Sequence, residues 1–309
     1  MSIIISIGSG KGGTGKSTIA ANLACVLARS GRRVCLADLD LGGADIHIQF
    51  GLFEPPRTLT DFITRRCDSL NEVLQTLDTV HGLQLLVGTG DTLQTANMNY
   101  QQKQRLLRGL QTIDCDILIL DTGAGANYHV LDFFMAADIQ VCITCPEATA
   151  ILDFYRFLQL ATIRKALSSF LSGSEVGTAL REHSFETLDQ VFTLAEETQP
   201  GARLKAREAL EFFNPLLIIN RVGNNARLNQ MKLRTLVAKY LGVNLPDLGE
   251  IPEDQSVGRA LRSFLPVCEY APDSPSAQAI AKIGTRLGKV VDLYETKRRA
   301  AADNPAESG

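Results

Sequence analysis

One stretch, Gly8-Ser9-Gly10-Lys11-Gly12-Gly13-Thr14-Gly15-Lys16-Ser17-Thr18, constrains this chain more than any other. Before it, Ile3-Ile4-Ile5-Ser6-Ile7 is short, apolar and β-branched and reads as a buried strand. After it, the run from Ile19 to Ala28 reads as a helix. Strand, glycine-rich loop and helix, in that order, form the setting of a phosphate-binding loop, and Gly10, Gly15, Lys16 and Ser17 fit G-x-x-x-x-G-K-[ST]. Glycines let backbone N–H groups curl around phosphate oxygens, and the helix N-terminus adds its partial positive charge. Lys16 is expected to reach β- and γ-phosphates, and the Ser17 hydroxyl to ligate Mg²⁺. The plain alternative is a glycine-rich turn holding a chance lysine.

A second lysine narrows the reading. Lys11 makes the loop Lys-Gly-Gly-Thr-Gly-Lys-Ser-Thr, which resembles the deviant Walker A motif of the MinD/ParA family of ATPases. The resemblance implies a doubly wound, mostly parallel α/β sheet of the SIMIBI NTPase type with helices on both faces. It implies ATP or ADP with Mg²⁺ held by Gly10, Lys11, Gly12, Gly13, Thr14, Gly15, Lys16, Ser17 and Thr18. It also implies an ATP-dependent homodimer in which Lys11 reaches the nucleotide of the opposite subunit. A solvated lysine at a loop tip is the bland counterpart.

The resemblance extends along the chain. Arg32 to Asp38 reads as a strand running into Asp38-Leu39-Asp40, and acidic residues at the carboxyl end of a parallel strand face the ligand crevice of an open α/β sheet. Asp40 matches the family's switch-I aspartate, near Mg²⁺ and orienting the attacking water, and Asp38 its strand-end companion; an Asx turn is the other reading. Asp116 to Asp121 is four apolar residues ending in a carboxylate, a Walker B strand whose Asp121 holds Mg²⁺ through water. Gly123 and Gly125 then give a switch II able to sense the γ-phosphate through backbone N–H groups. In the family an asparagine in the place of Asn220 bonds the adenine edge and its neighbour, here Arg221, packs on the base; a turn-forming Asn is the alternative. Pro252 and Glu253 match the loop that closes over the adenine. The Pro146-Glu147-Ala148-Thr149 turn and Asp153 resemble the family's segment near the dimer and partner surface, although Asp153 equally suits a cap or an ion pair on its own helix.

Composition bounds the rest. The 309 residues are 45% hydrophobic and 21% charged, an ordinary globular profile that allows a single α/β domain over 1–309. A net charge of −3 gives no overall pull toward nucleic acid or anionic membrane. Seven scattered cysteines, most in apolar runs, read as reduced core residues of a cytoplasmic protein. No signal peptide precedes the first strand and no apolar run is long enough to span a membrane, so membrane contact is at most peripheral. Cys142-Ile-Thr-Cys145 spells C-x-x-C, but residues three apart on a strand point to opposite faces, so both thiols read as packing groups.

Several coarser expectations complete the reading. Residues Pro55 to Val80 read as short helices and turns, Leu83 to Val87 as a strand, and Gly88-Thr89-Gly90-Asp91 as a turn. Met98 to Ile113 reads as an exposed helix with Lys103, Arg105 and Arg108 on a solvated face and Leu106, Leu107 and Leu110 inward. Residues 168–212 read as a helical insertion on the sheet edge, either a partner surface or a solvated excursion. Helices are expected from Arg227 to Leu241, from Val257 to Ser263 and from Ser276 to Tyr294, and residues 296–309 as a flexible tail. The Leu287–Tyr294 face reads as packing on the sheet rather than reaching a membrane.

The wording of the switch regions looks most like FlhG-type and related MinD-like proteins. The chain starts directly at its first strand, without the N-terminal extension of FlhG proteins, and its tail lacks the large apolar residues of MinD's membrane-targeting helix. The resemblance implies a slow ATPase awaiting an unidentified activating partner, serving the placement or number of a cell-surface structure such as flagella or the division site. Rivals are a ParA-type DNA partition protein, an Mrp-type iron–sulfur carrier, a P-loop metabolic ligase of the dethiobiotin or cobyrinate type, and a binding module without hydrolysis. Nitrogenase iron protein is excluded, because no cysteine closely follows Asp121.

Overall fold

Alternate residues of the first strand, β1 (Ile3–Ser9), enter different cores: Ile3, Ile5 and Ile7 on one side of the sheet, Ile4 on the other. Both faces are therefore covered, as a parallel α/β sheet requires. The computed structural model describes residues 2–40, 43–88, 98–171, 173–223 and 228–303, with side chains to residue 300. The expected Gly88–Asp91 turn lies mostly outside these residues.

In chain order, β1 leads through the loop to α1 (Lys16–Arg29), then β2 (Val34–Asp38), a 3₁₀ turn at Ile46–Phe50 and α2 (Leu59–Ile63). A short β3 (Leu74–Thr76) and β4 (Leu83–Leu86) precede α3 (Tyr100–Leu110), β5 (Ile117–Ala124), α4 (Tyr128–Met135) and β6 (Ile139–Thr144). The long α5 (Ala148–Ser168) is followed by α6 (Glu175–Arg181), α7 (Leu188–Thr198) and α8 (Ala202–Glu211). The chain then returns to the sheet as β7 (Leu216–Val222), and α9 (Gln230–Leu241), β8 (Asp247–Pro252), α10 (Gln255–Arg262), α11 (Val267–Tyr270) and α12 (Pro275–Asp303) complete it.

The sheet has eight strands in the order β3-β4-β2-β5-β1-β6-β7-β8, parallel except for the β3–β4 pair. The chain winds to one side of β1 through β2 and to the other through β6, so the switch point lies at the carboxyl end of β1, where such sheets bind ligands. Register brings Asp38 of β2 level with Asp121 of β5, and Asp121 level with Ile7 of β1. One face is covered by α1 and α12, with Leu23, Leu27, Ile280, Ile283, Leu287 and Val291 over the isoleucines of β1 and β5. The opposite face is covered by α2 and α3 over β2 and β5, and by α4, α5 and α9 over β6 and β7.

The structure corrects four expectations. Residues 168–212 form helices α6–α8 with a small core of their own against the C-terminal part of α5, and they connect the adjacent interior strands β6 and β7; they do not lie on the sheet edge. Lys103 and Arg105 do not face solvent. Lys103 is buried and donates to Asp132 of α4, while Arg105 donates to the carbonyls of Phe62 and Cys67 and stacks 4.1 Å from the Phe62 ring. The stretch from residue 296 is helical as far as Asp303, where Arg298 is tied to the Ser2 carbonyl (3.1 Å) and to Asp138 (2.7 Å). The edge strand β3 lies within the segment read as helices and turns; three residues carry too little alternation to be seen. The Leu287–Tyr294 face packs on the sheet, with Leu287 and Val291 fully buried.

Candidate functional site

At the carboxyl end of β1 the chain turns through the loop into α1. Gly13 (φ 80°) and Gly15 (φ 85°) adopt left-handed backbone that side-chain-bearing residues avoid, and Gly15 is the helix N-cap with no side-chain cap. The first-turn N–H groups of Lys16, Ser17 and Thr18 thus remain available to an anion from outside. Gly10 serves a different purpose. A Cβ there would stand 2.1 Å from the Asp153 carbonyl oxygen and 2.6 Å from the Phe154 nitrogen, so the back of the loop rests directly on the backbone of α5.

Lys16 is buried and its ammonium donates to Asp121 Oδ1. Asp121 Oδ2 is buried with no hydrogen-bond partner among the described residues. An acceptor left unmatched in so dry a place costs on the order of 1–3 kcal/mol, and a metal-bound water would satisfy it. Uncapped amides and a buried lysine at one cavity, with an orphaned carboxylate oxygen on the partner of that lysine, fit a phosphate chain carrying Mg²⁺. The cavity holds about 400 Å³ and is lined by the loop from Lys11 to Thr18 together with Asp40, Asp45, Ile48, Gln49, Ala124 and Leu261.

Asp38 organises the segment after β2. One carboxylate oxygen accepts from the Asp40 N–H and the other from the Ile46 N–H, both at 3.1 Å, so a single side chain pins the two ends of the loop. Burial, reinforced by the nearby Asp121 charge, pushes the Asp38 carboxyl up to about 8. Asp45, exposed on the cavity wall, is raised for the same two reasons. Asp40 lies against Gly123, where an added Cβ would come within 3.5 Å of the Asp40 carboxyl carbon, so the two switch segments touch. The Leu39 N–H donates to the Asp121 carbonyl (2.9 Å) and the Gly125 N–H to the Ser9 carbonyl (3.0 Å), tying both segments to the sheet beside the loop.

The remaining expected residues form a rim. Lys11 donates to Thr149 Oγ1 at 2.8 Å and lies 3.8 Å from Glu147, so within one chain it rests on the Pro-Glu-x-Thr turn. Glu147 is also 3.7 Å from Arg221, which is 3.6 Å from Glu253. Arg221 holds φ 56°, a left-handed backbone at the point where β7 leaves the sheet. Asn220 Nδ2 donates to the Thr14 carbonyl at 2.8 Å, so one of its two amide hydrogens supports the loop itself, and the other hydrogen and the oxygen are left for a base. Asn220, Arg221, Pro252 and Glu253 do not line the cavity. Asp153 pairs with Arg156 one turn on, at 3.9 Å. Cys142 packs in the core and Cys145, just beyond β6, is buried as well.

Sequence reasoning missed Asp45, Ile48, Gln49 and Leu261. Gln49 lines the cavity, and its Oε1 is buried without a hydrogen-bond partner among the described residues. Nothing in the residue string marks Ile48, Gln49 or Leu261; only the fold of the 3₁₀ turn and α10 brings them to the cavity.

The residues 5–267 match the model of the CobQ/CobB/MinD/ParA nucleotide binding domain. The chain is 29% identical over 286 residues to the antiactivator FleN of Pseudomonas aeruginosa, covering 92% of this chain and 85% of that one. It is 26% identical over 302 residues to the septum site-determining protein MinD of Helicobacter pylori, covering 97% and 96%. In fold it resembles the septum site-determining protein MinD complexed with Mg-ADP from Pyrococcus horikoshii, with a TM-score of 0.66, 22% identity and coverage of 95% and 98%.

Proposed function

The chain belongs to the CobQ/CobB/MinD/ParA nucleotide-binding family, and from that membership together with the site geometry we propose that this MinD/FlhG-like ATPase works as a nucleotide-controlled dimer placing or counting a cell-surface structure, such as flagella or the division site. The observation that carries the reading is the loop itself: Lys16 buried against Asp121, beneath a helix N-terminus that no side chain caps.

Each residue has a task that follows from its place. The amides of Gly13 to Thr18 and the Lys16 ammonium bind the phosphate chain, with Lys16 exchanging its Asp121 partner for phosphate oxygens. Ser17, Asp40 and Asp121 would hold Mg²⁺, which would neutralise charge on the phosphate chain. Asp40, fixed by the Asp38 carboxylate through its N–H, orients water for in-line attack. Gly123 and Gly125, in contact with Asp40 and with Ser9, report loss of the γ-phosphate to α4. Asn220, Arg221, Pro252 and Glu253 receive the base at the rim. Lys11 stands 39% exposed in a single chain, and a modest displacement from Thr149 carries it toward a second subunit. Phosphoryl transfer of this kind rests on positioning and charge stabilisation, so turnover in the absence of a partner protein is slow.

The test is molar mass by light scattering on the Asp40→Ala protein. Dimer is expected with MgATP, monomer with ADP, and monomer under all conditions once Lys11→Ala is added. A mass that never changes with nucleotide rejects the dimer switch, and turnover unaffected by Asp40→Ala shows that another group orients the water.

A further inference from the structure

A second cavity, of about 740 Å³, lies between α3, α4, the C-terminal part of α5 and α6. It is separate from the loop site and shares no lining residue with it. Its floor is apolar, built from Leu107, Met135, Leu167, Phe170 and Leu180. Tyr100 and Tyr128 also line it, 71% and 73% exposed at the first turns of α3 and α4.

The charge in this groove is one-sided. Asp132 is its only carboxylate among the described residues, and that group is spent: it accepts from Lys103 and from Arg164 Nε at 2.9 Å. Lys165 and Arg181 also line the groove and have no ion-pair partner among the described residues. His183 lies beside them on the lining. The opening is therefore cationic above an apolar floor, flanked by two tyrosines that provide large contact area at small cost in side-chain entropy.

We propose that this groove docks an acidic, amphipathic peptide segment of a partner protein. Acidic side chains meet Lys165 and Arg181, and apolar side chains enter the floor between Tyr100 and Tyr128. A nucleic acid fits less well: interfaces of that kind are strongly polar and draw on many cations along the backbone, whereas this groove offers few over a greasy base. Phe170, Gly177, Leu180, Arg181 and His183 of the lining come from α6 and its flanks, so the insertion between β6 and β7 acquires a task beyond the nucleotide cycle.

The experiment is selection of a random dodecapeptide phage library on the whole protein. The enriched peptide is then synthesised with a fluorescent label and titrated by anisotropy. Enrichment of sequences that are net negative with interspersed Leu, Phe or Tyr is expected. Affinity should fall about tenfold or more in the Lys165→Glu/Arg181→Glu protein and should also weaken in Tyr128→Ala, with binding decreasing as salt is raised. The reversal Lys232→Glu/Arg234→Glu on α9 should leave it unchanged. Basal ATP turnover and thermal melting verify that each variant is folded. If the double reversal fails to fold, Lys165→Gln and Arg181→Gln replace it. No enrichment, enrichment without acidic bias, affinity indifferent to these substitutions, or tighter binding of a single-stranded oligonucleotide of matching length overturns the proposal.

Discussion

Replacing Gly10 by Ala tests how the loop is held. The added methyl meets the Asp153 carbonyl oxygen at 2.1 Å, its carbon at 2.3 Å and the Phe154 nitrogen at 2.6 Å. These are backbone atoms of α5, which cannot rotate aside as a side chain can. An unstrained carbon–oxygen contact needs roughly 3.3 Å, so loop and helix must part by about 1 Å. Overpacking on this scale costs about 1–3 kcal/mol, which lowers the melting temperature by roughly 2–6 °C in a chain of this length. A misplacement of about 1 Å at reacting groups costs on the order of 100-fold in rate. Phosphate-release assays and thermal melts should therefore show both losses in Gly10→Ala. Gly12→Ala is the stability control, because a Cβ there meets nothing within 4 Å, and its melt should match wild type. Turnover within twofold of wild type with an unshifted melt would falsify the close approach of loop and helix. A lowered melt with normal turnover would show that α5 does not set the loop's catalytic position.

Lys16→Ala should abolish binding of a fluorescent ATP analogue, and, by leaving Asp121 buried without its cation, should cost about 3 kcal/mol in denaturant unfolding; retained binding would remove the loop as the nucleotide site. Asp38 gives a pH signature in the nucleotide-free protein. Its folded carboxyl titrates near 8 against about 4 when unfolded, so between those values the native state holds the extra proton. Its contribution to stability is complete below about pH 4 and is lost as pH rises toward 8. Asp38→Asn should flatten the fall in urea midpoint between pH 5 and 8, and an unaltered slope would show that another group titrates there.

Strands and helices of the nucleotide half were legible because each carries its own local signal. Ile3-Ile4-Ile5 and Ile117-Leu118-Ile119-Leu120 are apolar on both faces, which only a covered parallel strand requires. The loop was legible because glycine and lysine at fixed spacing have a chemical purpose that does not depend on distant residues. Residues whose purpose is set by a distant neighbour were misread or missed. Lys103 and Arg105 look like a solvated face on a helical wheel, but Lys103 is buried because α4 presents Asp132, and Arg105 is half-buried because the α2 region presents two carbonyls. Missed was the bond from Asn220 Nδ2 to the Thr14 carbonyl, 206 residues away in the chain. The stretch after Tyr294 has no apolar periodicity, but Arg298 finds Ser2 and Asp138 across the end of the sheet and the helix continues.

The amino-acid string by itself determined the glycine-rich turn between β1 and α1, the parallel strands that present it and the aspartates at their ends, because backbone conformation and burial pattern are local there. Tertiary structure alone decided that Asp38 pins Asp40 and Ile46, that Gly10 lies on α5, that Lys11 rests on Thr149, and that α3, α4, α5 and α6 enclose a cationic groove. Each of those depends on where a strand order or a helix packing brings residues far apart in sequence, and no local preference encodes that distance.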